Sequence, residues 1–333
     1  MNSELSIYKQ NRINELKTVF NSNIYRLNSA LVTNIKNIQM FRLSVKVKQT
    51  YINNLINQYN FQVNSLKNIL NNNILQIQNY QPKKITVDKN KKALLVGINY
   101  TGTQNELFGC INDANSIKDR ISNNGFNDIT ILTDLTTKKA TRDNILSEFK
   151  NLLINSSQGD LLFFLYSGHG SYVLDRNGDE QDGYDELIVS CDLKGIIDDE
   201  FKTLIQKYLK LNVTLFAMFD SCFSGSVLDL KYQYMDSLNY DNYTENAKQL
   251  DTFGNVFMIS GCTDNQTSVD AIFNNKANGA MTWSLLEALK QNPNCKWREL
   301  IKNMRDLLKT SNFEQIPQFS TGTFENIDLE IFI

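Results

Sequence analysis

Histidine occurs once in the 333 residues, at position 169, and a lone histidine excludes an ordinary Cys/His zinc cluster. The five cysteines form no CxxC pair, and an odd, scattered set argues for a reducing compartment. Long apolar runs are also missing, so no stretch approaches the roughly 20 residues of a membrane span. The first residues, Met1-Asn2-Ser3-Glu4-Leu5, lack the basic-then-apolar layout of a secretory signal. A net charge of −2 gives no reason to propose nucleic acid or a membrane surface as partner. The expectation is a cytoplasmic protein, long enough for one large domain plus an extension.

Glycine and proline are absent before Pro82, and that gap is filled by helical periodicity. Leu16, Phe20, Ile24, Leu27, Leu31 and Ile35 recur at intervals of four and three, as do Ile52, Leu55, Tyr59, Val63, Leu66, Leu70 and Ile74. Two amphipathic helices turning near residues 40–44 are predicted, an N-terminal α-helical extension over residues 1–82. Residues 83–91 are mostly polar and basic and read as a linker. From 92 to 333, short apolar runs alternate with helical patterns, which predicts an α/β domain with a mainly parallel sheet flanked by helices. Its strands are expected near 92–98, 128–133, 160–166, 213–219, 255–260 and 328–332. The Tyr/Asp/Asn-rich stretch 232–251 reads as an exposed connection.

Two apolar runs carry the chemistry. Val213 to Met218 reads as a buried strand, followed by Phe219-Asp220-Ser221-Cys222-Phe223-Ser224-Gly225. Polar residues just past such a strand lie where ligands bind in open α/β sheets. Cys222 is therefore placed to react, and because only the thiolate attacks, it needs a base. His169 follows the second run, Leu161 to Leu165, within Tyr166-Ser167-Gly168-His169-Gly170. The 53 residues from His169 to Cys222 allow one crossover and neighbouring strands, hence a Cys/His dyad at one sheet edge. No third member is evident.

Ser167-Gly168-His169-Gly170 together with Asp220-Ser221-Cys222 resembles the caspase-like clan of cysteine peptidases, and more narrowly the metacaspases. True caspases carry Gln-Ala before the cysteine, where this chain has Asp220 and Ser221. The resemblance covers residues 90–333 and includes Gly261-Cys262-Thr263-Asp264, Gly279-Ala280-Met281-Thr282 and Pro317-Gln318-Phe319-Ser320. It implies a caspase-like fold, catalysis by Cys222 and His169, and an oxyanion hole from the backbone amides of Gly170 and Cys222. It also implies a specificity pocket lined by Cys110, Asp113, Ser167 and Asp220. Two carboxylates there favour a protein or peptide substrate with Arg or Lys at the cleavage site, and disfavour an acidic one. Phe223 departs from the family, which commonly has a second histidine at that place.

The acidic run from Asp175 to Glu186 suits a hard cation, but Glu180 stands where an EF-hand needs glycine. The metacaspase resemblance instead implies Ca²⁺ held by Asp185, Asp198, Asp199 and Asp229. It further implies a zymogen and a monomeric catalytic domain. Lys83, Lys84, Lys89, Lys91, Lys231 and Lys248 are candidate self-cleavage sites, being basic and in chain expected to be exposed. The rival reading is a catalytically impaired scaffold or interaction module. Residues 1–82 are expected to cover the active-site edge or to mediate association until removed.

Overall fold

The computed structural model describes residues 2–79, 90–175, 183–221, 227–234, 244–246, 249, 251–261, 270–273, 276–323, 331 and 333. These form two compact units, residues 1–84 and 85–333.

The first unit is a helical hairpin of α1 (Asn2–Met40) and α2 (Val45–Asn79). The helices run antiparallel, since Lys9 Nζ donates to the Gln78 carbonyl at one end and Lys48 Nζ to the Gln39 carbonyl at the other, each at 2.8 Å. The predicted apolar stripes face each other but remain half-buried along most of their length, as two helices alone cannot enclose a core. Among the described residues, only Ile13 and Leu16 are buried in this unit, packed on Leu70 and Ile74.

The second unit begins with β1 (Lys91–Gly97), α3 (Cys110–Ser122), β2 (Phe126–Thr133), α4 (Arg142–Ile154) and β3 (Leu161–Ser167). A small antiparallel sheet follows, made of β4 (Gly170–Leu174), β5 (Tyr184–Val189) and β6 (Gly195–Ile197). Next come α5 (Asp198–Tyr208), β7 (Thr214–Asp220), β8 (Tyr232–Tyr234), β9 (Thr244–Glu245) and β10 (Asn255–Ser260). The hairpin β11 (Asp270–Phe273) and β12 (Lys276–Gly279), α6 (Ala280–Gln291), α7 (Trp297–Thr310) and β13 (Gln318–Thr321) complete the described elements.

The main sheet runs β2-β1-β3-β7-β10-β13-β8-β9, parallel from β2 to β10 and antiparallel beyond. Alternation along the central strands feeds two cores. Leu95, Phe163, Leu165, Phe216 and Met218 face one core with residues of α3, α6 and α7, and Trp297 stacks there on Phe257 at 5.0 Å. Leu94, Val96, Phe164, Leu215 and Phe219 face the other, with Phe149 of α4 and Phe201 of α5. Strands covered on both faces must be apolar throughout, which is why they were legible as continuous runs.

Two expectations need correction. Tyr232 and Tyr234 are buried, because β8 pairs with β13 and both rings join the core, so this part of the 232–251 stretch is sheet rather than exposed connection. Lys231 is buried too, between Glu245 and Asp251 at 3.3 and 3.4 Å, and does not sit in exposed chain. The described C-terminal strand is β13; of the strand expected at 328–332, only Ile331 falls within the described residues.

Candidate active site

Parallel pairing brings the carboxyl ends of the central strands level. Gly97 of β1 pairs with Ser167 of β3, and Ser167 pairs with Asp220, the last residue of β7. His169 therefore leaves β3 beside the strand whose next residues are Ser221 and Cys222. Cys222, Phe223 and Ser224 lie outside the described residues, as do Gly225 and Ser226.

His169 is held from two sides. Its backbone amide donates to the Tyr100 hydroxyl at 2.9 Å, and the Tyr166 hydroxyl donates to its carbonyl at 2.6 Å. The two phenols are 3.0 Å apart, and burial pushes both well above their ordinary pKa, so they stay protonated hydrogen-bond partners. Gly168 must be glycine here, because a Cβ would lie 2.6 Å from the Tyr166 oxygen and 2.9 Å from that of Tyr100. The imidazole packs against Tyr100 at a 37° tilt with ring centroids 4.6 Å apart, and Nε2 lies 2.7 Å from the Asn105 carbonyl. A carbonyl only accepts, so Nε2 carries the proton and Nδ1 is the basic nitrogen. The orienting group missing from the sequence is thus a main-chain oxygen in the loop before α3. Such a group has no residue-type signature. Gly170 opens β4, directly after the histidine.

At the same strand ends lies a carboxylate pair. Asp113, in the first turn of α3, accepts from the Ser167 hydroxyl (2.8 Å), the Asn278 side-chain amide (2.9 Å) and the Gly279 N–H (3.0 Å). Asp220 accepts from both the N–H and the hydroxyl of Thr282, at 2.9 and 2.8 Å. Both aspartates are buried. Burial, and next the charge of Asp220, push the Asp113 carboxyl up to about 8 against the pull of its hydrogen bonds. Gly279 separates the two: a Cβ there would sit 2.2 Å from Asp220 Oδ2 and 2.9 Å from Asp113 Oδ2. Its backbone angles are ordinary, so the requirement is space alone. Cys110, buried at the start of α3, completes the predicted pocket set. Asn278, Gly279 and Thr282 were not assigned from sequence, although Gly279 and Thr282 stood in a motif already noted.

A second acidic group lies at the start of α5. Asp198, Asp199 and Asp229 each place a carboxylate oxygen within 4.8 Å of the others. Burial, followed by Asp229, pushes Asp198 up to about 9. Glu186 also raises it; this residue belongs to the acidic run noted in the sequence but was left out of the cation-binding set. Its backbone N–H donates to Asp198 Oδ2 at 3.1 Å. Asp185, buried one position earlier on β5, falls outside the mutual group of three. Lys202 enters from the next turn of α5, with Nζ 3.2 Å from Asp229 and 3.9 Å from Asp199.

Residues 91–231 match the family model for the metacaspase, peptidase C14 domain. The chain is 35% identical to Metacaspase-1 of Candida albicans, with 74% of this chain and 68% of that one covered. For Metacaspase-1A of Neurospora crassa the identity is 36%, covering 72% and 64%. For Metacaspase-1 of Ajellomyces capsulatus it is 37%, covering 72% and 82%. A crystal structure of a Geobacter sulfurreducens protein superposes with a TM-score of 0.55 at 29% identity, over 73% of this chain and 97% of that one. With a strand-end histidine, a parallel sheet flanked by helices and relatives this similar over most of their length, the chain belongs to the metacaspases, cysteine-type endopeptidases of caspase-like fold.

Proposed function

We propose that this peptidase cleaves after Arg or Lys, uses Cys222 and His169 as its dyad, depends on Ca²⁺, and processes itself. The observation that carries the specificity is the buried Asp113–Asp220 pair beside the strand ends. Two carboxylates enclosed together are strained by mutual repulsion, and a guanidinium or ammonium relieves that strain while an acidic side chain adds to it.

In the mechanism, Nδ1 of His169 takes the thiol proton and the Cys222 thiolate attacks the scissile carbonyl. The Asn105 carbonyl holds the ring and stabilises the imidazolium through Nε2–H. Amides of Gly170 and Cys222 donate to the tetrahedral oxygen. His169 then protonates the leaving amine, and water cleaves the resulting thioester. The test is hydrolysis of paired fluorogenic peptides that differ only in Arg or Asp before the scissile bond, with Ca²⁺ or with chelator. Turnover of the Arg peptide alone, and only with Ca²⁺, is expected; equal turnover of the Asp peptide would sink the pocket assignment.

The donor chemistry of Asp198, Asp199 and Asp229 fits a hard divalent cation, which takes oxygen ligands and tolerates irregular geometry. Bound there, Ca²⁺ supplies the positive charge that lets these carboxylates stay ionised together. Lys202 already supplies part of that charge and must yield some of it when the dication enters. Lys202→Met is therefore expected to tighten Ca²⁺ binding by about tenfold, the effect of removing roughly 1.4 kcal/mol of competition. Calorimetric titration reads this directly. Unchanged affinity would remove Lys202 from the account, whereas no binding to either protein would remove calcium.

Lys248, Lys83, Lys84 and Lys89 remain proposed self-cleavage positions and lie outside the described residues. Lys91 opens β1, paired on both sides, and Lys231 is buried, so neither offers an extended exposed bond.

A further inference from the structure

The small net charge conceals a segregation. Residues 1–82 carry Lys9, Arg12, Lys17, Arg26, Lys36, Arg42, Lys46, Lys48 and Lys67 against Glu4 and Glu15 alone. No Asp or Glu occurs between Glu15 and Asp88. The imbalance coincides with exposed apolar surface at the turn of the helical hairpin. Met40 and Val45 are each 83% exposed, Phe41 62% and Tyr51 54%, with Leu43 and Val47 also exposed. Lys36, Arg42, Lys46 and Lys48 are interleaved with them.

The turn that presents these side chains is ordered by its own hydrogen bonds. Phe41 N–H donates to the Ile38 carbonyl at 3.3 Å and Leu43 N–H to the Phe41 carbonyl at 3.0 Å. Ser44 caps α2, accepting from Lys48 N–H on its carbonyl (3.0 Å) and from Val47 N–H on its hydroxyl (3.4 Å). Lys48 Nζ ties the two helices through the Gln39 carbonyl. The apolar groups are thus held outward on a closed turn.

We propose that residues 36–51 form a docking tip for an anionic phospholipid surface, with Met40, Phe41, Val45 and Val47 entering the boundary between headgroups and acyl chains and the cations meeting lipid phosphates. Charge complementarity selects the occupant. A second copy would bring cation against cation, and a nucleic-acid backbone rewards the charges but not a cluster of exposed Val, Met and Phe. Cations interleaved with apolar side chains and free of carboxylates match what an anionic bilayer interface binds. This is contact from one side; no described helix is long and apolar enough to cross a membrane.

The test is flotation of the full chain with phosphatidylcholine vesicles, with and without phosphatidylserine. Two variants separate the contributions: Arg42→Gln with Lys46→Gln, and Phe41→Ser with Val45→Ser. All four positions lie at the exposed turn, and circular dichroism checks that helicity is kept. Flotation is expected only with phosphatidylserine. Losing two cations is expected to weaken it about thirtyfold, at roughly 1 kcal/mol per cation near the surface. The apolar variant is expected to weaken it at least as much. Absence of flotation on phosphatidylserine vesicles, equal flotation on neutral ones, or indifference to Phe41→Ser with Val45→Ser would overturn the proposal. Retention on duplex DNA or dimerisation seen by light scattering, in protein that does not float, would overturn it in favour of those occupants.

Discussion

Replacing His169 by alanine is expected to lower kcat/KM for peptide hydrolysis by about 10⁴-fold or more, as Cys222→Ala does, with the double variant falling no further. The non-additivity is the informative part. If Nδ1 generates the thiolate, removing the base leaves a protonated sulfur that contributes nothing further to lose. His169→Ala leaves the surrounding frame intact, since Tyr100 and Tyr166 hold the backbone of residue 169 rather than its ring. Folding should survive, and a thermal melt checks it. Two single-variant losses that multiply in the double variant would mean that the residues act in separate steps.

The second large effect concerns the buried carboxylate pair. Asp220→Ala is expected to erase the preference for Arg or Lys and to lower kcat/KM on an Arg peptide by about 10²–10³-fold, the scale of truncating one partner of a buried charge pair. Retained preference would refute the assignment. Asp113 offers a finer test, because its carboxyl titrates near 8. Below that pH the pair carries less negative charge, and above it the pair gains the charge that a cationic side chain seeks. KM for an Arg peptide should therefore fall as pH rises through about 8, while KM for the matching citrulline peptide stays flat.

The stability consequence has the opposite sense. Asp113 binds its proton more tightly folded than unfolded, so its contribution to stability is complete below the ordinary value of 3.8 and lost as pH rises through about 8. Ligand-free protein should melt lower at the alkaline end, and an Arg-mimicking inhibitor should restore the loss. In Asp113→Asn the amide mimics the protonated acid, and the Ser167 hydroxyl can rotate to accept from it. That variant should resemble the parent near pH 6 and lose the alkaline gain.

The strands that position this site were readable because full burial leaves little choice of residue type: β3 and β7 are buried from end to end and apolar from Leu161 to Leu165 and from Leu215 to Phe219. Their polar terminations then marked His169 and Asp220. Asp113 was reachable only through resemblance, since a carboxylate in the first turn of a helix reads equally well as a favourable dipole charge. Its true partners, Ser167, Asn278 and Gly279, come from distant chain and leave no local pattern. Tyr232 and Tyr234 misled for a related reason. Three-residue strands in a Tyr/Asp/Asn-rich setting are decided by pairing with β13, not by periodicity. Lys231 misled because a buried ammonium is legible only once Glu245 and Asp251 are seen beside it.

The Asn105 carbonyl that aligns the histidine belongs to every residue type equally. Position 105 is chemically silent, and the information it contributes is stored as chain path. The loop from Thr101 to Gly109 is anchored at one end by the Asn99 and Thr101 amides on the Asp134 carboxylate, and closed by Leu107 N–H on the Asn99 carbonyl. The alignment of the imidazole thus tolerates any side chain at 105 that keeps the path, and no residue that changes the loop's length. A contour, rather than a composition, is what the orientation of His169 depends on there.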